Sequence, residues 1–94
     1  MNQNVKTYQL TIKGIVQNVG FRYWFNQEAI NLNLKGYVKN SNKSNEVKST
    51  VQGKLENILL MIEKCKSGPK LSLVEEVIAK KTINDEIYTS FTIK

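Results

Sequence analysis

Histidine is absent from this 94-residue chain, and cysteine, proline, arginine and tryptophan occur once each. Each scarcity removes a class of function. Without imidazole, Ser-His and Cys-His triads cannot be built, and with a single cysteine besides no zinc site is expected. The lone cysteine, Cys65, excludes an internal disulfide and suits a reducing compartment, so a cytoplasmic location is expected. No run approaches the ~20 apolar residues that a membrane-spanning helix needs. The segment Met1-Asn2-Gln3-Asn4-Val5-Lys6 has no apolar stretch, so no signal peptide is expected. Linkers, repeats and low-complexity tracts are missing too. The length then fits one domain over residues 1–94 with a modest two-layer core.

Of the fourteen basic residues only Arg22 is an arginine, against eight acidic residues, for a net charge of +6. Scattered lysines can be a solvated surface, or they can attract anions, whether a small phosphorylated substrate or nucleic acid. A single arginine among lysines has a narrower meaning. Lysine offers a point charge, whereas guanidinium offers a planar fork that matches a phosphate or carboxylate bidentately. Arg22 ends the run Gly14-Ile15-Val16-Gln17-Asn18-Val19-Gly20-Phe21-Arg22, which joins an alternating segment to a helical one.

Thr7 to Lys13 alternates, with Tyr8, Leu10 and Ile12 on one side, and so predicts a half-buried strand. Phe21, Phe25, Ala29 and Leu32, with Ile30 alongside, fall at helical spacing. Tyr37 to Asn40 predicts a second strand, Ser41 to Asn45 a polar turn, and Glu46 to Gln52 a third strand with Val47 and Val51 inward. Leu55, Ile58, Leu59 and Ile62 mark a second helix that Gly68-Pro69 stops. Leu73 to Ile83 predicts a fourth strand, with Glu75-Glu76 blurring its alternation; Asp85-Glu86 predicts a turn. Ile87, Tyr88, Phe91 and Ile93 predict a short fifth strand. The order β-α-β-β-α-β plus one strand predicts an α+β sandwich: a mostly antiparallel sheet with both helices on one face.

Few residues here can carry chemistry. A glycine-bounded turn that opens a helix exposes backbone N–H groups and the positive end of the helix dipole to one point. Arg22 then clamps the same anion; alternatively, Gly14 and Gly20 only shape a loop and Arg22 is a surface residue. Asn40 ends the second strand, where its non-titrating amide can hold a water, or simply begin a turn. Glu75 and Glu76 point to opposite faces and form no acid/base pair. Cys65 reads as a small buried hydrophobe. Tyr23 and Trp24 can stack on bases, but Phe21 and Phe25 bracket them at core spacing.

The run from Gly14 to Arg22 resembles the signature G-x-V-Q-G-V-G-F-R of the acylphosphatase family. Gly36-Tyr37-Val38-Lys39-Asn40 resembles its second motif, G-W/Y-V-x-N, and Gly53 and Gly68-Pro69 also fall at family positions. The resemblance implies a ferredoxin-like fold and hydrolysis of the carboxyl-phosphate bond of acyl phosphates without metal or cofactor. It implies that Gln17, Asn18, Val19, Gly20 and Phe21 supply a backbone phosphate cradle. It gives Arg22 the phosphate-binding role and Asn40 the role of orienting the attacking water. Ser41, standing at a family threonine, would support Asn40. Two departures stand out. Asn18 replaces the usual middle glycine, and the turn Asn42-Lys43-Ser44-Asn45 replaces the usual Asp-Gly.

An acyl phosphate releases a carboxylate, the conjugate base of an acid of pKa about 4 to 5, which needs no general acid. Positioning and charge stabilisation suffice for such a transfer, so the absence of histidine is no obstacle. The expected partners are the acyl phosphate and inorganic phosphate, acting on a monomer, with no membrane. Two alternatives remain: a non-catalytic phosphate-binding module in which Asn18 has spoiled turnover, and a nucleic-acid-binding module. The second is disfavoured because the strands lack the aromatic pairs that stack bases.

Overall fold

In the computed structural model, which describes residues 5–83 and 86–94, five strands and two helices alternate along the chain. They are β1 (Val5–Ile15), α1 (Phe21–Asn31), β2 (Lys35–Asn40), β3 (Glu46–Lys54), α2 (Leu55–Ser67), β4 (Leu73–Lys81) and β5 (Phe91–Ile93). The start of the Met1–Lys6 segment and Asp85 of the expected turn lie outside the described residues.

The strands form one sheet in the order β4-β1-β3-β2-β5. Three ladders are antiparallel, and β5 pairs with β2 in parallel. Alternation decides which face is covered. Leu10, Ile12, Val38, Val47 and Val51 are buried and meet Phe21, Phe25 and Ala29 of α1 and Ile58, Met61 and Cys65 of α2 in one core. The helices touch each other, so both lie on this face. The α+β sandwich expected from the element order is the observed fold.

The boundaries differ for physical reasons. The fifth strand is only Phe91–Ile93, and Phe91 stacks on Phe25 at 5.7 Å. Tyr88 is not in that strand. Its N–H donates to Gln52 Oε1 at 2.9 Å, and its ring meets Tyr37 edge-on across the helix-free face. The fourth strand stops at Lys81, short of Ile83. Its blurred alternation has a cause. The β1–β4 register passes from Lys13↔Glu76 to Gly14↔Val74, so Glu75 is an extra residue bulged out of the ladder. Gly14 makes the bulge possible: a Cβ there would stand 2.0 Å from the Leu73 carbonyl oxygen. In α2 the buried stripe is Ile58, Met61 and Cys65, whereas Leu59 is exposed.

One consequence of the topology positions everything that follows. Both β1 and β2 run antiparallel to β3, so they run parallel to each other, roughly 10 Å apart with β3 between them. With β5 parallel to β2, the C-terminal ends of three strands reach the same end of the sheet, beside the start of α1.

Candidate functional site

The loop from Val16 to Gly20 joins β1 to α1. It is anchored at both ends by the side chains of Val16 and Phe21, each 1% exposed. Between the anchors the backbone turns left-handed twice, at Asn18 (φ 62°) and Gly20 (φ 78°). Asparagine tolerates this region better than most residues with a Cβ. A left-handed residue followed by a right-handed one turns consecutive amides toward a common point, and Gly20 followed by helical Phe21 is such a pair. Gly20 is the N-cap of α1 and offers no side chain to the first turn, and that turn has no acidic residue. The free N–H groups at the start of α1 therefore have no carboxylate from their own helix to satisfy them.

Arg22 lies in this first turn, partly exposed. Its Nη1 donates to the Lys94 main-chain oxygen at 3.2 Å. The Lys94 N–H donates in turn to the Val38 carbonyl at 2.8 Å, so the chain after β5 both extends the β2 pairing and steers the guanidinium.

Asn40 approaches from β2. It pairs with Val47 and shares that residue's helix-side face of the sheet. Its Oδ1 is buried and has no hydrogen-bond partner among the described residues. A buried acceptor left unpaired costs roughly 1–3 kcal/mol; Asn26 Oδ1 in α1 is in the same state, and Asn40 differs from it in lining a cleft with Arg22. A cleft of about 210 Å³ brings these groups together; Asn18, Gly20, Phe21, Arg22 and Asn40 line it, with Val16, Tyr23 and Ile93 completing the wall.

The remaining expected site residues are near but differently engaged. The Gln17 side chain is turned toward the β2–β3 hairpin, with Nε2 donating to the carbonyls of Lys43 and Glu46. Ser41 holds the hairpin together: its Oγ donates to Glu46 Oε1 at 2.9 Å and accepts from the Lys43 N–H at 2.9 Å. Val19 packs against the core from a partly buried position. Cys65 lies in α2 away from the cleft, and burial pushes its thiol up from 9.0 to about 12, which leaves it no thiolate character at neutral pH.

Sequence reasoning missed Ile93, which lines the cleft, Lys94, whose main-chain oxygen accepts from Arg22, and Glu46, which is 5% exposed. Glu46 shares the alternation of exposed Lys48, and nothing in that pattern shows that Ser41 and Gln17 close over it.

Against known proteins, the acylphosphatase family model matches residues 8–93. An acylphosphatase of Nitrobacter winogradskyi is 39% identical over 69 residues, 73% of this chain and 69% of that protein. One from Caldivirga maquilingensis is 33% identical over 86 residues, 92% of this chain and 90% of that protein. Among solved structures, an acylphosphatase from Coxiella burnetii superposes with a TM-score of 0.93 at 29% identity, covering 100% of both chains. Sequence, fold and element order agree along almost the whole length, and this chain belongs to the acylphosphatase family, whose members hydrolyse acyl phosphates.

Proposed function

We propose that this chain hydrolyses acyl phosphates with main-chain amides, one guanidinium and one carboxamide, and needs no metal or cofactor. The phosphoryl group enters the cleft at the loop formed by Gln17, Asn18, Val19, Gly20 and Phe21. Amides at the start of α1 and the Arg22 fork hold its oxygens and gain strength as charge spreads over them in transfer. The observation that carries the reading is the buried Oδ1 of Asn40, unpartnered among the described residues, on a residue that lines the same cleft as Arg22. A carboxamide oxygen there accepts a hydrogen bond from water and leaves a water lone pair free for phosphorus. Water forms the new P–O bond, and the bond from phosphorus to the carboxyl oxygen breaks. The electron pair leaves on the carboxylate and the water protons stay with the phosphate. No side chain has to titrate.

A nucleic-acid role has a poorer surface to work with. Tyr37 is the aromatic that β2 presents on the helix-free face, and its ring is engaged by Lys94 Nζ at 4.0 Å and by the edge of Tyr88.

Turnover of benzoyl phosphate by the purified protein in the presence of EDTA tests the reading. Arg22→Ala, Arg22→Lys and Asn40→Ala should each lose on the order of 10²-fold in kcat/KM. The lysine variant fails with the alanine one because the fork is lost. Near-parental rates in Arg22→Lys would sink the bidentate role. An inactive parent that inorganic phosphate still protects thermally would make the chain a phosphate-binding module.

A further inference from the structure

The Gln17 carboxamide has two N–H donors, and both are spent on the hairpin, on Lys43 O and Glu46 O at 2.8 Å each. The acceptors lie 26 and 29 residues away in sequence. The same hairpin receives a third bond from the cradle side, Gly14 N–H to Asn45 O at 2.9 Å. The Glu46 carbonyl also accepts from the Ser41 N–H at 3.1 Å, and the Glu46 carboxylate accepts from Ser41 Oγ. One carbonyl therefore touches both the residue before Asn18 and the residue after Asn40.

This matters because the cradle and Asn40 share no element. The cradle follows β1 and Asn40 ends β2, and β3 lies between those two strands. The two sides are also unequally anchored. The loop is held by the buried Val16 and Phe21 side chains, whereas turn residues 42–45 are all exposed. If the brace is lost, the hairpin shifts and the cradle stays.

We infer that Gln17 is a positioning residue which sets Asn40, through Glu46 and Ser41, at its distance from the bound phosphoryl group. The role rests on the hydrolytic function proposed above. It makes a prediction that a phosphate-binding side chain would not: capture of phosphate survives without Gln17, and use of water suffers.

The experiment is steady-state hydrolysis of benzoyl phosphate, with inhibition by inorganic phosphate, for the parent, Gln17→Leu, Gln17→Glu, Asn40→Ala and the Gln17→Leu/Asn40→Ala double variant. Removing the donors should lower kcat on the order of 10-fold, since small misplacements of a reacting group are costly. KM and the phosphate inhibition constant should stay within about threefold, and the Gln17→Leu effect should almost vanish once Asn40 is gone. An unchanged kcat overturns the role. So do a loss confined to KM and the phosphate constant, and losses that multiply in full in the double variant. If both Gln17 variants fail to fold, the brace serves stability and the role falls as well. An inactive parent overturns the hydrolytic function itself, whereas an active parent with unaltered variants overturns only the role of Gln17.

Discussion

Asn18 holds a φ of 62° on the lip of the cleft, at the place where the signature that this run resembles has glycine. The left-handed region costs an ordinary L-residue about 1–2 kcal/mol, and asparagine less. Asn18→Ala should therefore lose about 1 kcal/mol in urea denaturation. Asn18→Gly should stay near the parent in stability, since relief of strain offsets the extra freedom of its unfolded chain. It also removes a side chain from the cleft, so its kcat/KM for benzoyl phosphate should equal or exceed the parent's. A fall would mean that the asparagine amide contributes to binding. At this scale some residues were legible and others were not. Arg22 stood out as the one arginine, whereas Asn40 at a strand end read equally as the start of a turn and took its expected role from the resemblance to the family motif. The engagement of Gln17 could not be seen, because its partners lie in another part of the chain and offer only main-chain oxygens, which every residue has. Lys94 escaped for the same reason: Arg22 meets its carbonyl, not its side chain.

Elements were legible where one face is buried and confused where a ladder breaks. β1, α1 and β3 read cleanly because their apolar residues keep a fixed period against one core. In β4 the bulged Glu75 shifts the period in mid-strand, and alternation alone cannot tell a bulge from a loop. In α2 the apolar residues exceed one stripe, and periodicity picked Leu55 and Leu59, which are exposed, and passed over the buried Met61. The sheet covers Ile58, Met61 and Cys65. The bulge also aims the loop that follows β1. Gly14→Ala would press a Cβ against the main-chain oxygen of Leu73, and no side-chain rotation relieves a clash with backbone. With a φ of 138° adding strain, that variant should lose about 3 kcal/mol. The same denaturation experiment checks it. A loss under about 0.5 kcal/mol, the range of an ordinary surface change, would show that the bulge can open without the glycine.

The whole molecule buries its one thiol, and that links its stability to pH. Burial raises Cys65 from 9.0 to about 12 in the folded chain. The unfolded chain therefore releases this proton first. Stability is fully present below pH 9, the thiol's unperturbed value, and declines as pH rises from there toward 12. The slope from this group alone is at most about 1.4 kcal/mol per pH unit. The comparison that isolates the thiol is with Cys65→Ala, whose stability should fall less steeply above pH 9. Equal slopes would mean that the thiol is not the group responsible. A different property follows from the strand order. Every residue of both motifs lies in the first 41 positions, yet the strand that holds the two motifs apart is β3, residues 46–54, and Arg22 is steered from residue 94. During synthesis the emerging chain thus carries all its named chemistry long before it carries a site. β3 must insert between two strands already made, and β5 must then close on β2. Contacts so distant in sequence form slowly. Recovered turnover after dilution from denaturant would therefore time the last steps of folding, not the first.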